Sequence, residues 1–172
     1  MKRKALLTLI LLLLLPQCAF AQKKSSIKVG YDKFRDITCG SVYVGNVASS
    51  LAMDLVLLDG SYCSQGKTLQ QPTLITLRLI SRAWSGATRG PQIIFLLDGT
   101  DRLTFDTQFA YASERILGDV GQITFKVTPS ELEKITSAKL AEFQLFEHSY
   151  KLKQKELSKL NALAHGGSTA SQ

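Results

Sequence analysis

The chain is short of nearly every residue type on which recognisable catalysis is built. It holds two histidines, three cysteines and one tryptophan in 172 residues. A structural zinc site needs four nitrogen or sulfur donors, and His148 and His165 are the only imidazoles on offer, so no metal or other cofactor is expected. No Gly-x-Ser-x-Gly elbow occurs, which speaks against the α/β-hydrolase form of serine catalysis. Basic residues form no stripe with stacking aromatics. Arg78, Arg82, Arg89, Arg102 and Arg115 are interleaved with Asp98, Asp101, Asp106, Glu114 and Asp119, so nucleic acid is not an expected partner. The longest apolar run, Ala5 to Leu15, stops at Pro16-Gln17. A membrane-spanning helix needs about 20 apolar residues, so no permanent anchor is expected.

What that run does fit is a secretory signal peptide over residues 1–21. Lys2, Arg3 and Lys4 make a basic start, the apolar stretch follows, and Ala19-Phe20-Ala21 puts small residues before a cut between Ala21 and Gln22. Acylation of Cys18 stays open beside plain cleavage: Leu15 has the right spacing, although Pro16 and Gln17 are poor intervening residues. Removal of the leader takes three lysine and arginine residues with it, so the formal charge falls from +7 to +4. The expected destination is the periplasm or the medium.

Two cysteines survive processing, Cys39 and Cys63. In an oxidising compartment a lone pair of thiols tends to become a disulfide; two separate thiols are the alternative. Lys151, Lys153, Lys155 and Lys159 form one local basic excess, read as a solvated helix face rather than a lipid-binding patch.

The rest of the chain divides into a polar spacer at 22–30, a single β-rich domain at 31–165, and a tail at 166–172 whose Gly-Gly-Ser-Thr-Ala-Ser-Gln composition reads as disordered. Strand patterns recur about every ten residues. Ile37 to Val44 ends near Gly45-Asn46, a dipeptide suited to a hairpin turn, and Leu51 to Leu58 ends at Asp59-Gly60. Ile75, Leu77 and Leu79 alternate with the outward Thr76 and Arg78. Ile93 to Leu97 is continuously apolar, as in a strand covered on both sides. Arg102 to Tyr111, Ile123 to Val127 and Ala141 to Leu152 follow. Thr128-Pro129-Ser130-Glu131 is a helix start with a capping hydroxyl, a proline and a returning glutamate. A second helix is expected from about Lys153 to Ala164, with Leu157, Leu160 and Leu163 on one side and Gly166 ending it. The predicted fold is mainly β, an antiparallel sandwich or partly open barrel, with a short helix before the last strand and a C-terminal packing helix.

The stretch Tyr31-Asp32-Lys33-Phe34-Arg35-Asp36-Ile37-Thr38 resembles the opening of a family of uncharacterised exported bacterial domains. The likeness continues through Gly66-Lys67-Thr68, Leu97-Asp98-Gly99 and Thr128 to Leu145. The resemblance implies an exported β-rich fold and supplies no catalytic residues. It also implies that Cys39 replaces an ordinary strand residue, which would make the disulfide peculiar to this chain.

Candidate chemistry is sparse. Gly60 to Thr68 ends in Gly-Lys-Thr, but a phosphate loop needs four residues between its glycines and a helix after it. Here five residues intervene, and Pro72 and a strand follow. Asp98, Asp101 and Asp106 lack the alternating rhythm of a calcium loop. His148 reads as a strand residue, and Asp54 and Glu142 as acids on strands that the sequence alone cannot bring together. The best interaction lead is Arg82-Ala83-Trp84, because tryptophan and arginine are favoured at binding hot spots. The sequence therefore reads as an exported bacterial envelope protein, a non-catalytic binding or structural module whose partner is a protein or polymer of the envelope. The alternatives are an accessory or inhibitor subunit of another exported protein, and a hydrolase of envelope polymers.

Overall fold

The computed structural model describes residues 27–49, 56–84, 91–114 and 118–166. The signal-peptide reading, its cut at Ala21 and Gln22, Cys18, Asp54 and the tail beyond Gly166 lie outside the described residues. Ten strands fall among them: β1 (Lys28–Asp32), β2 (Ile37–Ser49), β3 (Val56–Gln65), β4 (Ile75–Ser81), β5 (Ile93–Leu97), β6 (Asp101–Phe105), β7 (Gln108–Glu114), β8 (Gly118–Val127), β9 (Ala141–Leu145) and β10 (His148–Leu152). A single 3-10 turn covers Arg82–Trp84, and two helices, α1 (Pro129–Ser137) and α2 (Gln154–Ala164), complete the set.

All strand pairs are antiparallel, and they build two sheets. The larger runs β1-β2-β3-β4-β8-β7 and the smaller β6-β5-β9-β10. The far end of β2 joins them, since Ala48 and Ser49 pair with β10. The two outer strands, β6 and β7, are linked through Asp106-Thr107 but do not pair, so the barrel does not close. Phe95, Phe105 and Phe125 fill that corner, with ring centroids 5.7 to 6.1 Å apart.

The alternation read from the sequence sets the faces. In β3 and β4, Val56, Leu58, Gly60, Tyr62, Ile75, Leu77 and Leu79 are buried while the residues alternating with them are half-exposed. Both helices dock. Thr128 accepts from the Glu131 N–H, and the Glu131 carboxylate accepts from the Thr128 N–H at 2.8 Å, satisfying donors that a first turn leaves unpaired. Leu132 and Ile135 of α1 and Leu157, Leu160 and Leu163 of α2 are buried in one core with the strands. Gly166, at φ 65°, ends α2 with its N–H on Leu163 O.

Several boundaries differ from the sequence reading. β1 begins at Lys28, inside the expected spacer, because β2 supplies it with a hydrogen-bonding partner. Gly45-Asn46 is not a turn. β2 runs on to Ser49, and Gly45, at φ 127°, sits at a bulge. Gly60 lies mid-strand, not at a strand end, because the side chains of Leu163 and Leu77 occupy the space a Cβ would fill. β5 buries one face only, with Ile94 and Leu96 half-exposed. Arg102 to Tyr111 is two strands that turn a corner at Asp106. Ala141 to Leu152 is likewise a hairpin, turned at Phe146 (φ 54°), so α1 precedes the last two strands.

Candidate functional site

Two sequence candidates resolve at once. Cys39 and Cys63 are directly opposed on β2 and β3, with Cα atoms 4.0 Å apart, and form a disulfide. Trp84 is 4% exposed. Its ring lies 6.0 Å from that of Phe146, and its backbone presses on Gly121. Trp84 seals the core edge, while Arg82 beside it is exposed. Asp98 is structural as well. Asp98 and Gly99 both take positive φ at the β5–β6 turn, and the Asp98 carboxylate accepts from Leu140 N at 2.8 Å. His148 is a half-buried strand residue, and Glu142 lies half-buried on β9. Among the described residues no group of three His, Cys, Asp or Glu is placed to hold a metal ion.

The polar side chains that do converge lie on the outer face of the larger sheet. Strand register stacks them into rows, because opposed residues on paired strands point to the same face. One row reads Ser41, Ser61, Thr76 and Lys126 across β2, β3, β4 and β8. The next reads Tyr43, Asp59, Arg78, Thr124 and Gln108 and reaches β7. Five strands at about 4.8 Å spacing make this row about 19 Å long. Two shallow depressions, of about 500 and 580 Å³, follow these rows and share Thr76 and Thr124. The second depression reaches the β6–β7 corner at Thr104, Asp106 and Thr107.

The row is held in place. The Arg78 guanidinium donates to both Asp59 oxygens, with Nε at 3.0 Å from each and Nη2 at 2.5 Å from Oδ2. This forked geometry fixes both planes. Tyr43 is 58% exposed and stands at the β2 bulge, a feature that re-aims side chains. Lys159 of α2 reaches across, donating to Val44 O at 2.6 Å and Tyr43 O at 3.3 Å, with Nζ 5.9 Å from the Tyr43 ring centroid. That cation braces the ring by its attraction to the π face. The disulfide occupies the neighbouring outward row and bolts β2 to β3 beside the site.

A second exposed feature is the β1–β2 hairpin tip. Phe34 is 89% exposed with Lys33 Nζ 5.1 Å from its centroid. The tip is ordered by Asp32, which accepts from Phe34 N at 2.9 Å, and by Tyr31, whose hydroxyl donates to Asp36 at 2.8 Å. That bond to a carboxylate pushes the Tyr31 phenol above its ordinary pKa. Sequence reading missed both features. Outward Thr76 and Arg78 were visible in the β4 alternation, but only the register joins them to Tyr43, Asp59 and Gln108. Comparison with protein-family models, curated proteins and solved structures finds no match for this chain.

Proposed function

We propose that the chain is an exported, non-catalytic binding module of the bacterial envelope, holding an envelope polymer on the outer face of its larger sheet. The observation that carries this reading is the row Tyr43–Asp59–Arg78–Thr124–Gln108, fixed in register across five strands and lined by two continuous depressions. Binding is favoured over acid–base chemistry because both Asp59 oxygens are already engaged by the forked bond from Arg78. Export is supported by the basic, apolar and small-residue pattern of residues 1–21, by the resemblance to exported domains and by the disulfide. Among the described residues no helix is long and apolar enough to cross a membrane.

The test is co-sedimentation of the processed protein with insoluble envelope polymer. Wild type should pellet, and Thr76→Arg, which fills the point shared by both depressions, should remain in the supernatant while melting normally. Pelleting that Thr76→Arg leaves intact overturns the reading. A second reading, an accessory or inhibitor subunit, draws on Phe34. An exposed aromatic on an ordered hairpin suits insertion into another exported protein. In that case Phe34→Ser abolishes the partner complex and Thr76→Arg does not.

A further inference from the structure

Given a binding face on the larger sheet, on which this step rests, we infer that its ligand is a neutral oligosaccharide lying across the strands. Its sugar ring stacks on Tyr43, and its hydroxyls bond to Asp59, Arg78 and Thr124.

The chemistry of the lining selects this class. Along the long row the groups run aromatic ring, carboxylate, guanidinium, hydroxyl, amide. A sugar hydroxyl both donates and accepts, so a run of them matches a surface where acceptors, donors and hydroxyls follow one another. The C–H face of a pyranose carries the slight positive charge that the negative face of an aromatic ring attracts. Tyr43 presents such a ring at one end of the depression, braced by Lys159 before any ligand arrives. A bound glycan therefore orders little that is not already ordered, which favours affinity.

Other classes fit worse. A protein interface has an apolar, aromatic centre and a polar rim, whereas here the centre is the Asp59–Arg78 pair and the aromatic stands at the end. A polyanion needs a track of cations along its length. The depressions carry Lys28, Arg78 and Lys126 against Asp59 and Asp106, a near balance. The length, about 19 Å over five strands, suits a short linear oligosaccharide.

The experiment is calorimetric titration of the processed protein with chitotetraose, cellotetraose and maltotetraose, beside polyglutamate and a heparin oligosaccharide as charged probes. At least one neutral tetrasaccharide should saturate. Tyr43→Ala should weaken it about tenfold, equivalent to the loss of a ~1.4 kcal/mol stacking contact, and Tyr43→Phe, which keeps the ring, should bind like wild type. Saturation that Tyr43→Ala leaves unchanged overturns the inference, and so does saturation by a charged probe alone. If no tetrasaccharide binds while Thr76→Arg still abolishes pelleting with envelope polymer, the glycan assignment fails and the binding face stands. If both fail, the binding face falls too.

Discussion

Two inward-facing glycines of the larger sheet offer a matched test of how the core is built. A Cβ on Gly121 would stand 2.5 Å from Trp84 Cβ, 2.8 Å from Trp84 O and 2.9 Å from Trp84 C. Two of those three atoms are backbone, held in the 3-10 turn, and cannot rotate away. A Cβ on Gly60 would stand 2.5 Å from Leu163 Cδ1 and 2.9 Å from Leu77 Cδ2, with the nearest backbone atom at 3.8 Å. Those methyls end flexible side chains and can swing aside. Overpacking costs about 1–3 kcal/mol, and loss of glycine's freedom in the unfolded chain returns about 0.4–1 kcal/mol. Gly121→Ala should therefore lose about 2 kcal/mol net, and Gly60→Ala about 1 kcal/mol or less. Gly30→Ala is the baseline, since its Cβ would meet nothing within 4 Å on an exposed strand. Urea unfolding under oxidising conditions gives all three values. If Gly121→Ala matches the Gly30→Ala baseline, or if Gly60→Ala is the worse of the pair, the close packing of the 3-10 turn on β8 is wrong.

Leu160→Ala on α2 should lower stability by about 2–5 kcal/mol through lost transfer energy and a cavity; a near-unchanged melt with weakened liposome binding would mean that the helix lies on lipid instead. Reduction of Cys39–Cys63, which spans 24 residues of sequence, should cost about 3–4 kcal/mol on the chain-entropy account, and titration of the native oxidised protein should find neither thiol. Tyr62 is buried, and its hydroxyl has no hydrogen-bond partner among the described residues. Burial raises its pKa, so its contribution is complete below the unfolded value of 10.0 and is lost as pH climbs through the higher folded value. Tyr62→Phe should be at least as stable as wild type at neutral pH and should resist alkaline unfolding better; a clear loss of stability at pH 7 would show a hydrogen bond at that hydroxyl.

Much of the fold was legible because its signals are local. The Thr128–Glu131 start of α1, the Gly166 stop of α2 and the Ile75–Leu79 alternation each depend on a few neighbouring residues, and each appears where expected. The errors share a cause. Gly45-Asn46 and Asp59-Gly60 carry turn composition, but Gly45 serves a bulge and Gly60 makes room for Leu163 of a helix more than 100 residues away. A local pattern cannot distinguish a glycine that turns the chain from one that admits a neighbour. The hairpin at Phe146 was missed for the converse reason, since a bulky residue at positive φ carries no turn signature. The disulfide was accessible from count and compartment. The polar row proposed to bind was not, because Tyr43, Arg78 and Gln108 line up only through the pairing of β2, β3, β4, β8 and β7.

The most direct measurement of where the protein binds is amide chemical-shift mapping of the isotope-labelled, processed protein, titrated with solubilised fragments of envelope polymer. The account predicts saturable shifts centred on Ser61, Thr76, Arg78, Thr124 and Gln108, fading toward the core and absent from the hairpin tip. Shifts confined to Phe34 and its neighbours, or none at saturating fragment, would contradict it.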